Sequence, residues 1–226
     1  METLPLLGST NTMEKFGIDE LFRVAVVNKT RIIHGFLIFY GMFIVFFFIG
    51  ARSIISRDEF FPQFYDVGVW CGRTAITLYL ITLIPGMMKR FGLTHKVFSL
   101  IRIFRRYIGI STFLFALVHA SFVRFIPLLA SGVIVPGPAF QTFGLISLAL
   151  MFFMFLTSND FSVNRLGIWW YRLHWVTHII MITALLHTLL QRVSVWSVLI
   201  GIIVVLQLAS FAFSFRRRPS RNEYSS

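Results

Sequence analysis

Charged residues are scarce in this chain of 226 residues. They make up 13% of it, about half the share found in an average soluble domain, whereas hydrophobic residues make up 57% and the mean hydropathy is +0.78. This composition excludes an ordinary soluble enzyme, a disordered chain and a nucleic-acid-binding domain. Acidic residues are the rarest: nine Asp and Glu stand against 21 Lys and Arg, so the net charge is +12. In so apolar a chain the basic residues first indicate membrane topology.

Cysteine is almost absent as well, since Cys71 is the only one. One cysteine excludes a disulfide framework, a Cys-rich zinc or iron–sulfur site and the CxxCH attachment of c-type heme. Any heme in this protein would therefore be held without thioether bonds. The sequence also lacks a GxGxxG motif after a strand, so no soluble flavin or nicotinamide domain is expected. Electrons would have to enter and leave through partners.

Six apolar segments are long enough to cross a hydrocarbon core of about 30 Å. They run from about 32 to 50, 67 to 88, 106 to 123, 140 to 158, 171 to 191 and 193 to 215. We therefore predict an all-α polytopic membrane protein, with a six-helix bundle over 32–215. Residues 1–31 have no early apolar core, which predicts a cytoplasmic tail rather than a signal peptide, with an interfacial helix near 16–27. A basic cytoplasmic tail is expected at 216–226, and the proline- and glycine-rich stretch 125–141 predicts a surface loop.

The basic residues are distributed unequally between the two sides of the predicted bundle. Sixteen of the 21 fall on the side that carries both termini and five on the other. Because Lys and Arg concentrate on the cytoplasmic side, both termini are predicted to be cytoplasmic. Orientation and contact with anionic membrane lipid account for the basic excess, so no nucleic-acid partner is expected.

Four of the six histidines lie within the third and fifth spans: His119, His174, His178 and His187. Ionisable residues inside a membrane are costly and are therefore functional candidates. A neutral imidazole is a good axial ligand for heme iron, and the interior of a helix bundle is where such a site is built. His119 and His187 both fall in the outer half of the membrane, where they can face one heme from opposite sides. His34 and His95 are predicted to lie at the interface.

The cytoplasmic half is less clearly defined. His174 lies in the first turn of the fifth span, where the third span offers Arg105 and Arg106. His174 and His187 are 13 residues apart, which leaves an offset of about 140° on an ideal helix. Either the fifth span contains a π-type distortion, or the bundle surrounds two sites differently. His178, one turn after His174, is an alternative ligand.

Four arginines are candidates for binding anionic groups. Arg73 lies in the outer turns of the second span, where its guanidinium suits a heme propionate or, alternatively, the lipid headgroup region. Arg105, Arg106 and Arg172 are candidates for inner propionates, a quinone head group or the phosphate of a flavin such as FMN.

Several short motifs together resemble the ferric reductase-like transmembrane domain, which is shared with the membrane halves of NADPH oxidases. They are GRTA at 72–75, RR at 105–106, His119, LTS at 156–158, RLG at 165–167, LH at 173–174 and His187. The resemblance covers roughly 67–190 and is strongest to the heme-binding membrane subunits of periplasmic methionine sulfoxide reductase systems. It implies that His119 and His187 ligate a b-type heme in a protein of the bacterial inner membrane.

The resemblance also implies a second heme at the other depth, held in NADPH oxidases by two further histidines. His174 matches one of these, whereas Arg105 or Arg106 occupies the other position, as in the methionine sulfoxide reductase subunits. A five-coordinate second heme, an unusual ligand and no second heme all remain open. The implied function is electron transfer from a cytoplasmic quinol or flavin reductase to an extracytoplasmic oxidoreductase, for example a molybdenum-cofactor reductase.

Two other classes of protein are alternatives. The spacing of His174 and His178 resembles part of the histidine motifs of membrane di-iron oxidases, but those require about eight histidines, and six are present. A non-redox accessory subunit of a larger membrane complex would bind no cofactor. The expected result for the favoured class is a visible spectrum with a Soret band and a sharp reduced α-band.

Overall fold

The computed structural model describes the backbone of residues 10–133 and 136–216 and the side chains from residue 17 onward within these ranges. All regular secondary structure in this part of the chain is helical. The helices are α1 (Thr10–Val27), α2 (Lys29–Ser56), α3 (Phe61–Phe91), α4 (Lys96–Ala120), a π-helical turn (Ser121–Phe125), α5 (Ile126–Ser131), α6 (Ala139–Leu156), α7 (Asp160–Leu166), α8 (Ile168–His174), α9 (Thr177–Gln191) and α10 (Val195–Arg216).

Six helical segments are long and apolar enough to span a membrane, which confirms the predicted all-α class and the number of spans. They are Lys29–Ser56, Phe61–Phe91, Lys96–Ser131, Ala139–Leu156, Ile168–Gln191 and Val195–Arg216. Most outward-facing side chains on these helices are large and apolar, as expected for surfaces that contact lipid. The predicted basic tail lies outside the described residues from 217 onward.

The third span continues further than the sequence indicates. Residues 126–131 were expected in a surface loop, yet they form α5, which follows α4 directly through the π-helical turn. Pro127 does not break the helix because it occupies the first turn of α5, where its missing N–H has no intrahelical partner to lose. The helix ends at Gly132, whose φ of 67° lies in the left-handed region that glycine adopts readily.

Helices α3 and α4 form the most extensive contact in the bundle. Gly68 and Gly72 lie one turn apart on α3 and let α4 approach closely, in the manner of the GxxxG motifs of membrane helices. A Cβ on Gly68 would lie 2.8 Å from the Cβ of Phe122. Phe122 is fully buried there, in a cluster with Ile54 and Val118. Small residues thus fix the distance between α3 and α4.

A second cluster joins α3, α9 and α10. Tyr79 and Leu83 of α3 pack against Ile180 of α9 and Ile200 of α10. The Tyr79 hydroxyl donates a hydrogen bond to the backbone carbonyl of Thr177 at the start of α9. Helix α9 also packs along α6, where the hydroxyls of Ser147 and Thr183 are 2.7 Å apart. These contacts fix α9 between α6 and α10.

The fifth span is interrupted between α8 and α9, at Trp175 and Val176. Backbone hydrogen bonds around the break connect residues three apart, from Trp175 N to Arg172 O through Ile179 N to Val176 O. This pattern is typical of a 3₁₀ turn. The fifth span therefore contains a 3₁₀-type distortion and not the π-type distortion considered from the sequence, whereas a π-helical turn lies in the third span, directly after His119. Residues in 3₁₀ turns rotate by about 120° rather than about 100° each. With about five residues after His174 in this geometry, the calculated angle between His174 and His187 around the helix axis falls from about 140° to about 40°.

Candidate functional site

His119 lies near the end of α4 and is held by α3. Its Nδ1 is 2.9 Å from the backbone carbonyl oxygen of Gly68. A carbonyl can only accept, so Nδ1 carries the proton and donates this hydrogen bond. The imidazole lies flat enough against Gly72 that a Cβ there would come within 2.7 Å of Nδ1. Gly68 thus orients the ring, and Gly72 leaves space for it.

His187 is held by α6 in an equivalent way. Its Nδ1 is 2.8 Å from the carbonyl oxygen of Phe140 and therefore donates a hydrogen bond to it. A Cβ on Gly144 would lie 2.6 Å from the same Nδ1. In both helix pairs the accepting carbonyl is followed four residues later by a glycine that faces the imidazole. The α3–α4 and α6–α9 pairs therefore present their histidines with the same local geometry.

The two imidazoles approach each other across the bundle. Their ring centroids are 6.4 Å apart and the ring planes are inclined by 76°. Helices α4 and α9 are not closely packed against each other, since α4 packs mainly on α3 and α9 on α6 and α10. Metal–nitrogen bonds of about 2.1 Å, with about 1.1 Å from nitrogen to ring centre, place two imidazoles on opposite sides of one metal ion about 6.4 Å apart. This spacing would allow both histidines to bind one metal ion.

The tautomer of each histidine leaves Nε2 available to bind a metal ion. Because Nδ1 is protonated and bound to a carbonyl, Nε2 of His119 and of His187 carries the lone pair. Neither Nε2 accepts a hydrogen bond from any residue in the described part of the chain. Metal-binding histidines commonly donate their other N–H to a backbone carbonyl, which fixes the ring and raises its basicity. The residues present are therefore suited to a heme held by two imidazoles.

Arg73 follows Gly72 directly on α3 and therefore lies at the depth of His119. Its guanidinium packs over the Trp70 ring, 4.6 Å from the centroid. No carboxylate among the described residues lies within ion-pair distance of it. A half-buried cation that faces no protein carboxylate is suited to an anionic group of a bound ligand, such as a propionate.

His174 lies in the predicted cytoplasmic half, at the end of α8. Its ring packs against that of Trp170 with centroids 3.9 Å apart, and its Nε2 is buried without a hydrogen-bond partner among the described residues. Arg105 and Arg106 of α4 lie close enough to act on it electrostatically. The structure thus brings together the histidine and the two arginines that the sequence places at this depth.

The three inner arginines have different surroundings. Arg106 forms an ion pair with Asp160 at the start of α7, at 2.7 Å. The guanidinium of Arg172 packs over Trp169 at 4.7 Å. Arg105 has no ion-pair partner among the described residues and lies near both Tyr79 and His174. Arg105 is therefore the inner arginine best placed to bind an anionic ligand beside His174.

His178 faces a different part of the bundle from His174. It packs against Trp175 at 4.9 Å and against Phe211 of α10 at 5.2 Å. Its electrostatic neighbours are Arg90 at the end of α3 and, more weakly, Arg105. The break at Trp175 turns the two inner histidines to different sides of the span, and His178 packs against α10.

Four residues that position the outer histidines were not identified as such from the sequence: Gly68, Gly72, Phe140 and Gly144. Phe140 acts through its backbone carbonyl, which leaves no side-chain signal. The glycines do leave one, because a glycine inside a helix costs about 1 kcal/mol relative to alanine and so indicates close approach of another group. Gly72 belongs to the GRTA motif, but the motif alone does not show that its first residue contacts His119.

The fold and these contacts define an all-helical integral membrane protein that pairs two histidines within its bundle. The profile of the family described as "Ferric reductase like transmembrane component" matches residues 71–189, more than half of the chain. The protein therefore belongs to the ferric reductase-like transmembrane family, which confirms the resemblance carried by the short motifs. The match begins at Cys71, before the GRTA motif, and ends just after His187.

Individual relatives support a more specific similarity. The protein-methionine-sulfoxide reductase heme-binding subunit MsrQ of Brucella ovis is 31% identical over 149 residues, which cover 64% of each chain. The MsrQ proteins of Brucella suis and Brucella abortus match with the same identity and coverage. The chain thus spans slightly less than two thirds of the length of these relatives. No solved structure matches it.

Proposed function

We propose that this protein is the heme-binding membrane subunit of an electron-transfer system, with a b-type heme held between His119 and His187. The observation that carries the proposal is the pair of facing imidazoles, 6.4 Å apart, each with Nδ1 donating to a backbone carbonyl. The family and the heme-binding relatives support it.

The protein's own residues fix the ligands and the charge of this site. Gly68 and Phe140 orient the imidazoles through their carbonyls, so both lone pairs are available before heme binds. Arg73 provides a cation for a propionate, which compensates a negative charge that would be costly inside the bundle. Bound heme supplies one-electron chemistry, whose potential depends on the ligands, their hydrogen bonds and burial.

Electrons would cross the membrane from a cytoplasmic donor to an extracytoplasmic acceptor. We propose an inner site at His174 and Arg105 for a second heme or another redox group, with a quinol or a flavin reductase as donor. Because the relatives are subunits of protein-methionine-sulfoxide reductases, the proposed acceptor is an oxidoreductase of that kind, a molybdenum-cofactor reductase in the most specific form of the proposal. The predicted orientation, with both termini in the cytoplasm of a bacterium, places the His119–His187 pair nearer the acceptor.

The arrangement of potential ligands favours this function over a di-iron oxidase. Among residues 17–133 and 136–216, no three His, Cys, Asp or Glu side chains converge in a way that would hold a metal ion. A di-iron centre needs several protein ligands per metal ion, whereas a heme needs only the axial ones from the protein.

The test is the heme content and spectrum of ligand variants. We expect His119→Ala and His187→Ala each to lose most of the bound b-type heme and the six-coordinate low-spin spectrum of the wild type. His34→Ala is the matched control, because His34 is exposed on α2 and should keep both. Retention of wild-type heme content and of the low-spin spectrum in both ligand variants would overturn the assignment.

A further inference from the structure

A group of buried polar atoms beneath α10 is not used by the sites described above. Three side-chain atoms there are buried without a hydrogen-bond partner: Nη2 of Arg90 on α3, Nδ1 of His178 on α9 and Oε1 of Gln207 on α10. Gln207 is only 2% exposed. Leaving a buried polar atom without a partner is costly, and such atoms are rare in native proteins. Three of them between the same helices indicate a bound polar group.

The contacts around these atoms show that they belong to one place. Arg90 donates from Nε to Ser210 at 2.9 Å, and its guanidinium lies 4.1 Å from the centre of the Phe211 ring. Phe211 also contacts His178 at 5.2 Å. Gln207 lies one turn before Phe211 on the same face of α10, which is the face that packs on α3 and α9. We refer to Arg90, His178, Gln207 and Phe211 as the α10 cluster.

The chemistry of the α10 cluster is unusual because donors and acceptors are combined. The Arg90 guanidinium only donates, the Gln207 Oε1 only accepts, and a neutral imidazole nitrogen does either according to its tautomer. Such a set matches a ligand oxygen that is a hydroxyl in one redox state and a carbonyl in the other. The Phe211 ring, which contacts Arg90, His178 and Trp175, adds an apolar wall to the cluster.

The position of the α10 cluster indicates where such a ligand comes from. Helix α10 packs on α3 and α9, and Leu208, Ala209 and Ala212 on its other face are exposed toward the lipid. Trp175, which contacts both His178 and Phe211, is 63% exposed. A ligand that enters between α10 and its neighbours arrives from the bilayer, so it is lipophilic rather than a water-soluble flavin.

We infer that the α10 cluster binds the head group of a membrane quinol, which rests on the proposed electron-transfer function and names its donor. A quinol hydroxyl donates to Gln207 or to His178, and the quinone carbonyl that replaces it accepts from Arg90. Oxidation of the quinol breaks two O–H bonds and releases two electrons and two protons. The electrons reduce ferric heme iron, one electron per iron, and the protons leave toward the cytoplasmic side, with Nδ1 of His178 as a first acceptor.

The experiment compares two reductants on heme-loaded protein in lipid nanodiscs, using decylubiquinol and dithionite. We expect Arg90→Gln and Gln207→Leu to lower the rate of heme reduction by decylubiquinol about tenfold or more, as removal of a hydrogen bond to a charged or buried group predicts. Full reduction by dithionite should remain. Lys89→Gln and Gln191→Leu are the matched controls, because both side chains are exposed at helix ends, and they should retain the wild-type rate.

A binding measurement that does not depend on heme complements these rates. An azido-substituted short-chain ubiquinone, photoactivated on the wild-type protein, should label peptides that contain the end of α3 or residues 207–211, and Gln207→Leu should lose the labelling. Labelling elsewhere, or decylubiquinol rates in both variants equal to those of the controls, would overturn the quinol site. Absence of a heme spectrum in the wild type would instead overturn the proposed function, and labelling would still report on the quinol site.

Discussion

Gly144 lies so close to the imidazole of His187 that a Cβ at this position would come within 2.6 Å of Nδ1. Gly72 stands in the same relation to His119, at 2.7 Å. In each case the ring cannot move away freely, because its Nδ1 is bound to a carbonyl one turn earlier on the same neighbouring helix. The position of each proposed ligand is therefore fixed by the absence of a side chain on the helix that supports it.

This relationship predicts that adding a single methyl group displaces a heme ligand. We expect Gly72→Ala and Gly144→Ala to reduce bound b-type heme severalfold, or to convert its spectrum from low-spin to high-spin, while the protein still inserts into the membrane. Heme content by pyridine hemochrome and the position of the Soret band measure the effect. Gly41→Ala and Gly109→Ala are controls, because a Cβ on either glycine meets no atom within 4 Å. Equal heme content in all four variants would contradict the prediction.

The sequence predicted the six spans correctly because a span depends on length and hydropathy, and both are local properties. It also indicated His119 and His187 as a pair, since two ionisable residues at equal depth in a membrane have few other roles. The supporting contacts were not predictable in this way. The carbonyl of Phe140 has no side-chain signature, and the continuation of the third span through 126–131 depends on Pro127 falling in a first turn.

The predicted cytoplasmic half contains a further feature that the sequence alone does not reveal. An ideal helix separates His174 from His187 by about 140°, and only the tightened turn at Trp175 removes most of this offset. That turn contains no glycine or proline, so the sequence does not predict it. The same break directs His178 toward Phe211, although the two inner histidines are four residues apart in sequence.

The separation of His174 and His178 leads to a prediction about any inner heme. Arginine offers no lone pair to iron, so Arg105 does not complete a bis-histidine site with His174. We expect an inner heme to be held more weakly than the outer one and to have a distinct EPR signal. His174→Ala should remove that signal and leave the outer one, whereas His178→Ala should retain both.

Heme stoichiometry and EPR of the wild type and the two variants decide this point. Two equivalent bis-histidine low-spin signals that persist in both variants would contradict the arrangement. Loss of the inner signal in His178→Ala alone would assign the ligand to His178, although its ring packs toward α10.

The distribution of basic residues predicts the topology of the bundle. Sixteen of the 21 Lys and Arg lie on the side of both termini, so a green fluorescent protein fused after Ser226 should fluoresce. An alkaline phosphatase inserted after Gly132, between α5 and α6, should be active, because that end of the bundle is predicted to face the periplasm. Exchange of the two reporters is the control, and each should then be inactive. The reverse pattern of activities would invert the proposed inner and outer sites.

The ion pair of Arg106 with Asp160 predicts how stability depends on pH. The hydrogen bond and positive charge of Arg106 lower the pKa of the Asp160 carboxyl below its usual value, although this carboxyl is fully exposed. A carboxyl with a lowered pKa in the folded state contributes stability above its unfolded pKa, near 3.9, and loses it as the pH falls through the folded value. We therefore expect Asp160→Asn to lower the thermal unfolding midpoint slightly and equally between pH 5 and 7, with a difference from wild type that declines once the pH falls below about 4 and disappears below the folded pKa. Asp66→Asn is the control, since the exposed carboxyl of Asp66 has no ion pair among the described residues and its loss should leave the midpoint unchanged. A difference for Asp160→Asn that grows as the pH falls would show that the carboxylate opposes folding, and Arg106 would then be available to a cofactor rather than to α7.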